Sequence, residues 1–183
     1  SFPTLITLPY GLYKDYKTFK NTKKNKQKNI NPKIIKSEKK VNLQNLPILK
    51  KLKVAAIMDE FTYNSFKYEC DLLQITPENW QSELSTFKPD LVFIESAWKG
   101  KDDLWATKIS NCASELVEMV QYCHNNNIKT MFWNKEDPVH FDTFIPVAKM
   151  VDYVFTTDID CVPRYKEKVA HDNVQFLPFA AQP

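Results

Sequence analysis

From residue 53 onward, short apolar runs alternate with stretches of helical pattern, and this alternation most constrains the fold. Six runs predict strands, because each is short, largely apolar and bounded by polar or turn-forming residues. The predicted strands are "KVAAIMD" (53–59), "DLLQIT" (71–76), "PDLVFIES" (89–96), "IKTMFW" (128–133), "DYVFTTD" (152–158) and "NVQFLPF" (173–179). Helical patterns fill the gaps, at 60–70, 77–87, 109–127, 139–151 and 159–170. This rhythm predicts an α/β fold of Rossmann-like type: a doubly wound, mostly parallel sheet of about six strands with helices on both faces.

A basic extension precedes this rhythm. Residues 1–53 contain 14 lysines against Asp15 and Glu38, a net charge of +12, whereas residues 54–183 contain 11 basic and 20 acidic residues, a net charge of −9. We therefore predict an extension at 1–52 and one domain at 53–183. The extension is either a solvated linker or an arm that binds an anionic polymer or membrane surface. Nucleic acid is a poor fit, because residues 17–40 contain no arginine and only one aromatic residue, Phe19.

Glycine is scarce, and this argues against nucleotide binding by the domain. The chain has two glycines, Gly11 and Gly100, and neither follows the first predicted strand. Loops of the G-x-G-x-x-G or Walker A kind need glycines there, so that bare backbone can cradle a pyrophosphate. We therefore predict no cofactor in this domain. A receiver domain is also disfavoured, because the third predicted strand ends in Glu95-Ser96 rather than aspartate and "TTDID" (156–160), at the end of the fifth, contains no lysine.

The cysteines and the lengths of the apolar runs bear on location. Cys70, Cys112, Cys123 and Cys161 form no C-x-x-C pair and lie in or beside apolar patterns, which predicts free thiols rather than a zinc site. The sequence shows no signal-peptide pattern and no apolar run of membrane-spanning length. These features predict a cytoplasmic location, with the inner face of the membrane as an alternative. Because the chain opens on Ser1 rather than methionine, we expect a piece of a longer protein.

Polar, acidic and aromatic residues collect where the predicted strands end. In an open parallel sheet the carboxyl ends of the strands form the ligand-binding edge. The candidates for substrate binding are Asp59, Glu60, Glu95, Ser96, Trp98, Trp133, Asn134 and Asp137, and the candidates for catalysis are Glu136 and His140. Five of these ten residues lie in "WNKEDPVHFDTF" (133–144).

Several candidates also have a purely structural interpretation. Asp137 stands before Pro138 and suits the N-cap of a helix that begins at that proline. Asp59 and Glu60 suit the acidic start of a helix, and Trp133 suits the core. The sequence leaves these alternatives open.

Three stretches together resemble the N-terminal half of CgeB-type glycosyltransferases, which are GT-B enzymes of bacterial spores and cell surfaces. They are "KPDLVFIESAWKG" (88–100), "KTMFWNKEDPVHFDTFIPVAKMVDYVFTTDIDCVPRYKE" (129–167) and "VQFLPFAAQP" (174–183). The likeness covers roughly residues 53–183, and its most specific part is W-N-x-E-D-P followed by D-Y-V-F-T-T-D.

The resemblance implies that the two domains of the enzyme have different roles. The C-terminal domain of a GT-B enzyme binds the nucleotide-sugar donor, and the N-terminal domain supplies the acceptor side of the cleft. In that family "LPFAA" and a following proline close the first domain, which is where this chain stops. The resemblance therefore implies a sugar or polymer acceptor, a donor domain outside this chain, no bound metal, and a fragment that is inactive alone. Glu136 and His140 are then candidate bases for an acceptor hydroxyl. The alternative of another class is a non-catalytic binding or scaffolding module that docks through its basic arm.

Overall fold

All six predicted strands form, and every neighbouring pair is parallel. The computed structural model describes residues 52–179. The strands are β1 (Lys53–Ile57), β2 (Asp71–Gln74), β3 (Leu91–Glu95), β4 (Lys129–Asn134), β5 (Tyr153–Thr156) and β6 (Val174–Phe176). Their order across the sheet is β2-β1-β3-β4-β5-β6. This confirms the predicted Rossmann-like α/β fold.

The helices pack on both faces of the sheet, in unequal numbers. They are α1 (Glu60–Phe66), α2 (Trp80–Phe87), α3 (Ser114–Asn125), α4 (Ile145–Ala148) and α5 (Cys161–Lys168), with 3₁₀ turns at Lys101–Asp103 and Asp142–Phe144. Helix α1 contributes Tyr63 and Phe66 to the core on one face. Helices α2 to α5 supply the core on the other face. Buried strands such as β1, with Val54 to Ile57 all buried, are typical of a parallel sheet covered on both sides.

The helix predicted over 109–127 begins later, at Ser114. Cys112 has a φ of 51° and Ala113 a ψ of 157°, and neither is helical. A residue in the left-handed region interrupts a right-handed helix. Ile109, which the helical pattern placed on the buried face, is nonetheless fully buried from its position in the preceding turns.

The helix predicted over 139–151 was also wrong in extent. Residues 135–141 form turns, a 3₁₀ turn covers Asp142–Phe144, and only Ile145–Ala148 is α-helical. The apolar spacing that suggested a helix is satisfied by these turns, because Phe141, Phe144 and Val147 are buried at intervals of three residues. A repeat of three matches 3₁₀ geometry as well as one face of an α-helix.

The predictions for the extension lie outside the described residues, and so do the four residues that close the chain. They stay predictions. Within residues 52–179, no helix is long and apolar enough to cross a membrane. All four cysteines are free thiols, as predicted; Cys123 and Cys161 are buried, and Cys70 and Cys112 are half-buried.

Candidate functional site

The strand order creates a crevice between β1 and β3. These strands are neighbours in the sheet, but the chain continues from β1 to one side and from β3 to the other. In doubly wound sheets ligands bind beyond the carboxyl ends of strands at such a switch point. Asp59 and Glu95 lie at these two ends, and the backbone N–H of Asp59 donates to Glu95 Oε2 at 2.7 Å. The prediction that they share one edge is confirmed.

A lysine that the sequence analysis did not select joins the two carboxylates. Lys135 Nζ lies 2.9 Å from Asp59 Oδ2 and 2.9 Å from Glu95 Oε1. We call Asp59, Glu95 and Lys135 the acid–lysine cluster. The side chain of Lys135 is only 12% exposed and that of Glu95 is fully buried. Lys135 follows β4, so the cluster ties together the ends of three adjacent strands.

Glu95 forms the buried floor of this cluster. Its carboxylate accepts hydrogen bonds from the Thr62 hydroxyl, the Asp59 backbone and Lys135. Burial raises the pKa of Glu95, and the charge of Lys135 and these hydrogen bonds offset part of that rise. A buried side chain with these partners has no surface to offer a ligand. The prediction that Glu95 contacts substrate is therefore wrong. Glu95 instead holds Asp59 and Lys135 in place through these hydrogen bonds.

Asp59 holds the loop that follows β3. Its carboxylate accepts hydrogen bonds from three consecutive backbone amides, those of Trp98 (3.2 Å), Lys99 (3.0 Å) and Gly100 (2.8 Å). Successive amides that converge in this way form an anion-binding nest. Asp59 stands at the N-cap position of α1, as the structural interpretation expected, but its side chain makes no capping hydrogen bond. The side chain instead fixes the loop across the crevice.

Gly100 is the residue that allows this loop conformation. It has a φ of 67° and a ψ of −166°, a region open essentially to glycine alone. A Cβ at this position would lie 2.9 Å from two atoms of the fully buried Trp105. The indole of Trp105 is itself fixed, because its Nε1 donates to the carbonyl of Ile75 at 2.8 Å. Gly100 does not belong to a phosphate-binding loop after β1. It instead allows the backbone conformation that forms the rim of the crevice.

The pKa shifts in the cluster follow from burial and pairing. Burial alone raises the pKa of Asp59, but the hydrogen bonds from Lys135 and from the loop amides outweigh it and hold the pKa below its ordinary value of 3.8. Burial alone lowers the pKa of Lys135, but Glu95 and Asp59 outweigh it and the pKa lies above its ordinary value. Asp59 and Lys135 are therefore both charged at neutral pH.

A second buried network fixes the turn after β4. Asp137 accepts hydrogen bonds from Thr156 Oγ1 at 2.6 Å, Asn134 Nδ2 at 2.8 Å and the Tyr165 hydroxyl at 3.3 Å. Burial raises the pKa of Asp137, and the hydrogen bonds from Thr156 and Tyr165 offset part of that rise. The N-cap interpretation is wrong, because residues 135–141 form turns and no helix begins at Pro138. Asp137 and the fully buried Asn134 anchor the turn internally.

Two further candidates lie inside the fold. Trp133 is 3% exposed, its ring packs between Phe93 and Phe179, and its Nε1 donates to the Leu177 carbonyl at 3.0 Å. It therefore presents no open face for stacking, and the core interpretation is the correct one. Ser96 is fully buried, and its hydroxyl accepts the backbone N–H of Lys135 at 2.9 Å. Its role is to position Lys135.

Trp98, Glu136 and His140 remain at the surface of this edge. Trp98 is 40% exposed, and its ring meets that of His140 edge-to-face at 5.0 Å between centroids. His140 and Glu136 are both half-buried, and the backbone N–H of His140 donates to the Glu136 carbonyl at 3.1 Å. Glu136 directly follows Lys135 and so flanks the acid–lysine cluster.

An open cleft of about 630 Å³ lies beside the cluster, and its size is that of a small-molecule site. Most of the described lining residues have polar side chains, and the lining also includes one strongly exposed aromatic ring, that of Phe61, which is 71% exposed. The lining residues are Asp59, Glu60, Phe61, Tyr63, Asn64, Gln74, Lys99, Gly100, Lys101, Asp102 and Asp103. Asp59 and Glu60, both selected from the sequence, line the cleft; Trp98, Glu136 and His140 do not.

Sequence reasoning missed Lys135 and Phe61 for different reasons. Lys135 lies within "WNKEDPVHFDTF", so its place at a strand end was a usable signal. However, a lysine at a loop is usually solvated, and only the contacts with Asp59 and Glu95 give it a buried role. Phe61 lies in the helical pattern at 60–70, where nothing in the sequence singles it out, and its exposure depends on how α1 packs on the sheet.

The chemistry of the cleft favours neutral, hydroxyl-rich ligands. Among residues 52–179, four carboxylates and two lysines line it, and this negative balance disfavours free phosphates. Carboxylates and amides accept and donate hydrogen bonds to hydroxyls, and aromatic rings offer apolar faces. Among the described residues, no group of three or more histidines, cysteines or acids is arranged to hold a metal ion.

Comparison of the chain with protein-family models, with curated proteins and with solved structures gave no match.

Proposed function

We propose that residues 53–183 are the acceptor-side domain of a GT-B glycosyltransferase that transfers a sugar from a nucleotide-sugar to a cell-surface or spore-associated acceptor. The observation that carries this proposal is the negatively balanced cleft, with its exposed ring, at the switch point of a parallel sheet. The resemblance of the strand-end sequences to CgeB-type enzymes supports the same assignment.

The donor would be bound elsewhere. On this proposal a second domain, from sequence beyond this chain, binds the nucleotide-sugar, and the present domain acts in the cytoplasm or at the inner face of the membrane. The lack of a glycine-rich loop after β1 agrees with donor binding by the second domain, because binding a pyrophosphate requires exposed backbone N–H groups or cations. The acid–lysine cluster would hold the cleft loop in place while the acceptor binds beside it.

Binding of simple sugars to this chain tests the acceptor assignment. We expect methyl glycosides of common hexoses and N-acetylhexosamines, titrated by NMR, to shift the amides of residues 60–64 and 99–103. Phe61→Ala should weaken the binding about tenfold, which corresponds to about 1.4 kcal/mol, because the ring offers the apolar face on which a sugar packs.

Tyr68→Ala is the matched control. Tyr68 is 66% exposed, nearly as much as Phe61, but it does not line the cleft. Its removal should leave sugar binding unchanged. The proposal would be contradicted if no glycoside shifted the cleft amides, or if both alanine variants bound equally well.

A second candidate function rests on the charge of the extension. The 14 lysines of residues 1–53 suit an anionic polymer or an anionic membrane surface, to which a non-catalytic module would dock. We expect the chain to bind poly(glycerol phosphate) or phosphatidylglycerol vesicles, and the binding to weaken as salt rises from about 50 to 500 mM. Deletion of residues 14–40 should abolish it in a sedimentation assay, and unchanged binding after the deletion would exclude the arm.

A further inference from the structure

Trp98 differs from the other tryptophans of the chain in its exposure and in its indole N–H. Of the four tryptophans, three are at most 9% exposed, whereas Trp98 is 40% exposed. The indole N–H groups of Trp105 and Trp133 donate to backbone carbonyls. Within residues 52–179, that of Trp98 has no hydrogen-bond partner. An exposed ring with a free donor suits a ligand that has both apolar faces and oxygen acceptors.

Two polar side chains beside Trp98 are also available to a ligand. The His140 ring meets the Trp98 ring edge-to-face at 5.0 Å between centroids, and the His140 backbone N–H donates to the Glu136 carbonyl at 3.1 Å. In the described part of the chain, neither the Glu136 carboxylate nor the His140 imidazole forms a hydrogen bond or an ion pair. We call Trp98, Glu136 and His140 the tryptophan surface.

The tryptophan surface adjoins the cleft through Asp59. The consecutive backbone amides of Trp98, Lys99 and Gly100 all donate to the Asp59 carboxylate. Lys99 and Gly100 line the cleft, whereas Trp98 does not. Phe61 is two residues from Asp59, and the Trp98 amide nitrogen is 3.2 Å from Asp59 Oδ2, so the Cα atoms of Phe61 and Trp98 are at most roughly 15 Å apart. A short oligosaccharide can span the two exposed rings.

We propose that the tryptophan surface is a second sugar subsite, and that the acceptor is a glycan of at least two sugar units rather than a single sugar. This inference rests on the proposed function, because it extends the acceptor cleft. One sugar ring packs on Phe61 in the cleft, and another ring of the same ligand packs on Trp98, where Glu136 and His140 bind its hydroxyls. Because Glu136 is also a candidate base, the ring on Trp98 carries the reacting hydroxyl.

Sugars of increasing length test this inference in the native chain. The ligands are methyl glycosides of common hexoses and N-acetylhexosamines and the matching di- and trisaccharides, titrated by NMR. We expect the monosaccharides to shift only the amides of residues 60–64 and 99–103. The longer sugars should also shift the indole N–H of Trp98, and they should bind about tenfold more tightly, because a second ring becomes buried.

Trp98→Ala should lower the affinity for the longer sugars to that of the monosaccharides. The variant keeps the backbone N–H that donates to Asp59, so the cleft loop stays in place. Trp98→Phe retains a ring and should keep part of the gain, which separates loss of stacking from loss of folding. Leu104→Ala is the matched control, because Leu104 is also 40% exposed and does not line the cleft. It should keep the whole gain.

The outcomes separate this inference from the proposed function. Longer sugars that bind no more tightly than monosaccharides, or that leave the Trp98 indole N–H unmoved, would overturn the second subsite while the acceptor cleft stands. Equal losses in Trp98→Ala and Leu104→Ala would overturn it as well. If no glycoside of any length shifted the cleft amides, the proposed function would fail and the second subsite with it.

Discussion

Lys135→Met is expected to lower the free energy of unfolding by about 3–5 kcal/mol at neutral pH. The methionine keeps most of the volume of the side chain but leaves Asp59 and the fully buried Glu95 facing each other without a cation. Uncompensated charges in a buried site cost far more than the pair itself contributes. Chemical denaturation followed by circular dichroism measures the change.

Lys129→Met is the matched control. Lys129 also pairs with an aspartate, Asp152 at 3.3 Å, but its side chain is 61% exposed. An exposed pair contributes at most about 1 kcal/mol. If the two variants lost equal stability, the acid–lysine cluster would have no special role in the fold.

The cost of Lys135→Met should shrink in acid. In the native chain the pKa of Asp59 lies below its ordinary value of 3.8, so its stabilisation is present above that pH and is lost as pH falls through the lower folded value. Burial already raises the pKa of Glu95 in the native chain, and Lys135 lowers the pKa values of both Glu95 and Asp59. Without Lys135 both pKa values should rise, so the variant takes up more protons on folding than the native chain and gains more stability as pH falls. The stability difference between variant and native chain should therefore narrow from pH 7 toward about pH 4.

On the proposed function, Glu136→Gln is expected to lower turnover by about 10²–10⁴-fold in a protein that includes the proposed donor domain, because Glu136 would be the base for the acceptor hydroxyl. The amide keeps the shape of the side chain and removes its charge. Glu136 is half-buried, and its backbone N–H donates to Asn134 Oδ1 at 3.0 Å, a hydrogen bond that the substitution leaves intact. The melting temperature should therefore stay close to that of the native protein.

The assay is consumption of a nucleotide-sugar in the presence of an acceptor. Glu118→Gln makes the same chemical change on the exposed surface of α3 and should leave the rate unchanged. A fully active Glu136→Gln would remove Glu136 from the chemistry, and His140, on the same turn, would be the next candidate. If the extended native protein consumed no common nucleotide-sugar, the proposed function itself would fail.

The sequence alone determined the fold class of the domain. Six apolar runs of strand length alternate with helical patterns, and these signals are local, so they can be read without knowledge of the tertiary structure. The same rhythm placed Asp59 and Glu95 at one edge, because parallel strands bring their carboxyl ends together. The scarcity of glycine was equally plain in the sequence.

Tertiary structure alone decided what each polar residue at that edge does. Asp137 looked like a cap because proline follows it, yet its partners Thr156 and Tyr165 come from β5 and α5. Lys135 was not selected from the sequence, yet it lies between two carboxylates contributed by the ends of β1 and β3. Strand and helix patterns depend on neighbours in the chain, whereas burial and hydrogen-bond partners depend on segments that the sheet order brings together from distant parts of it.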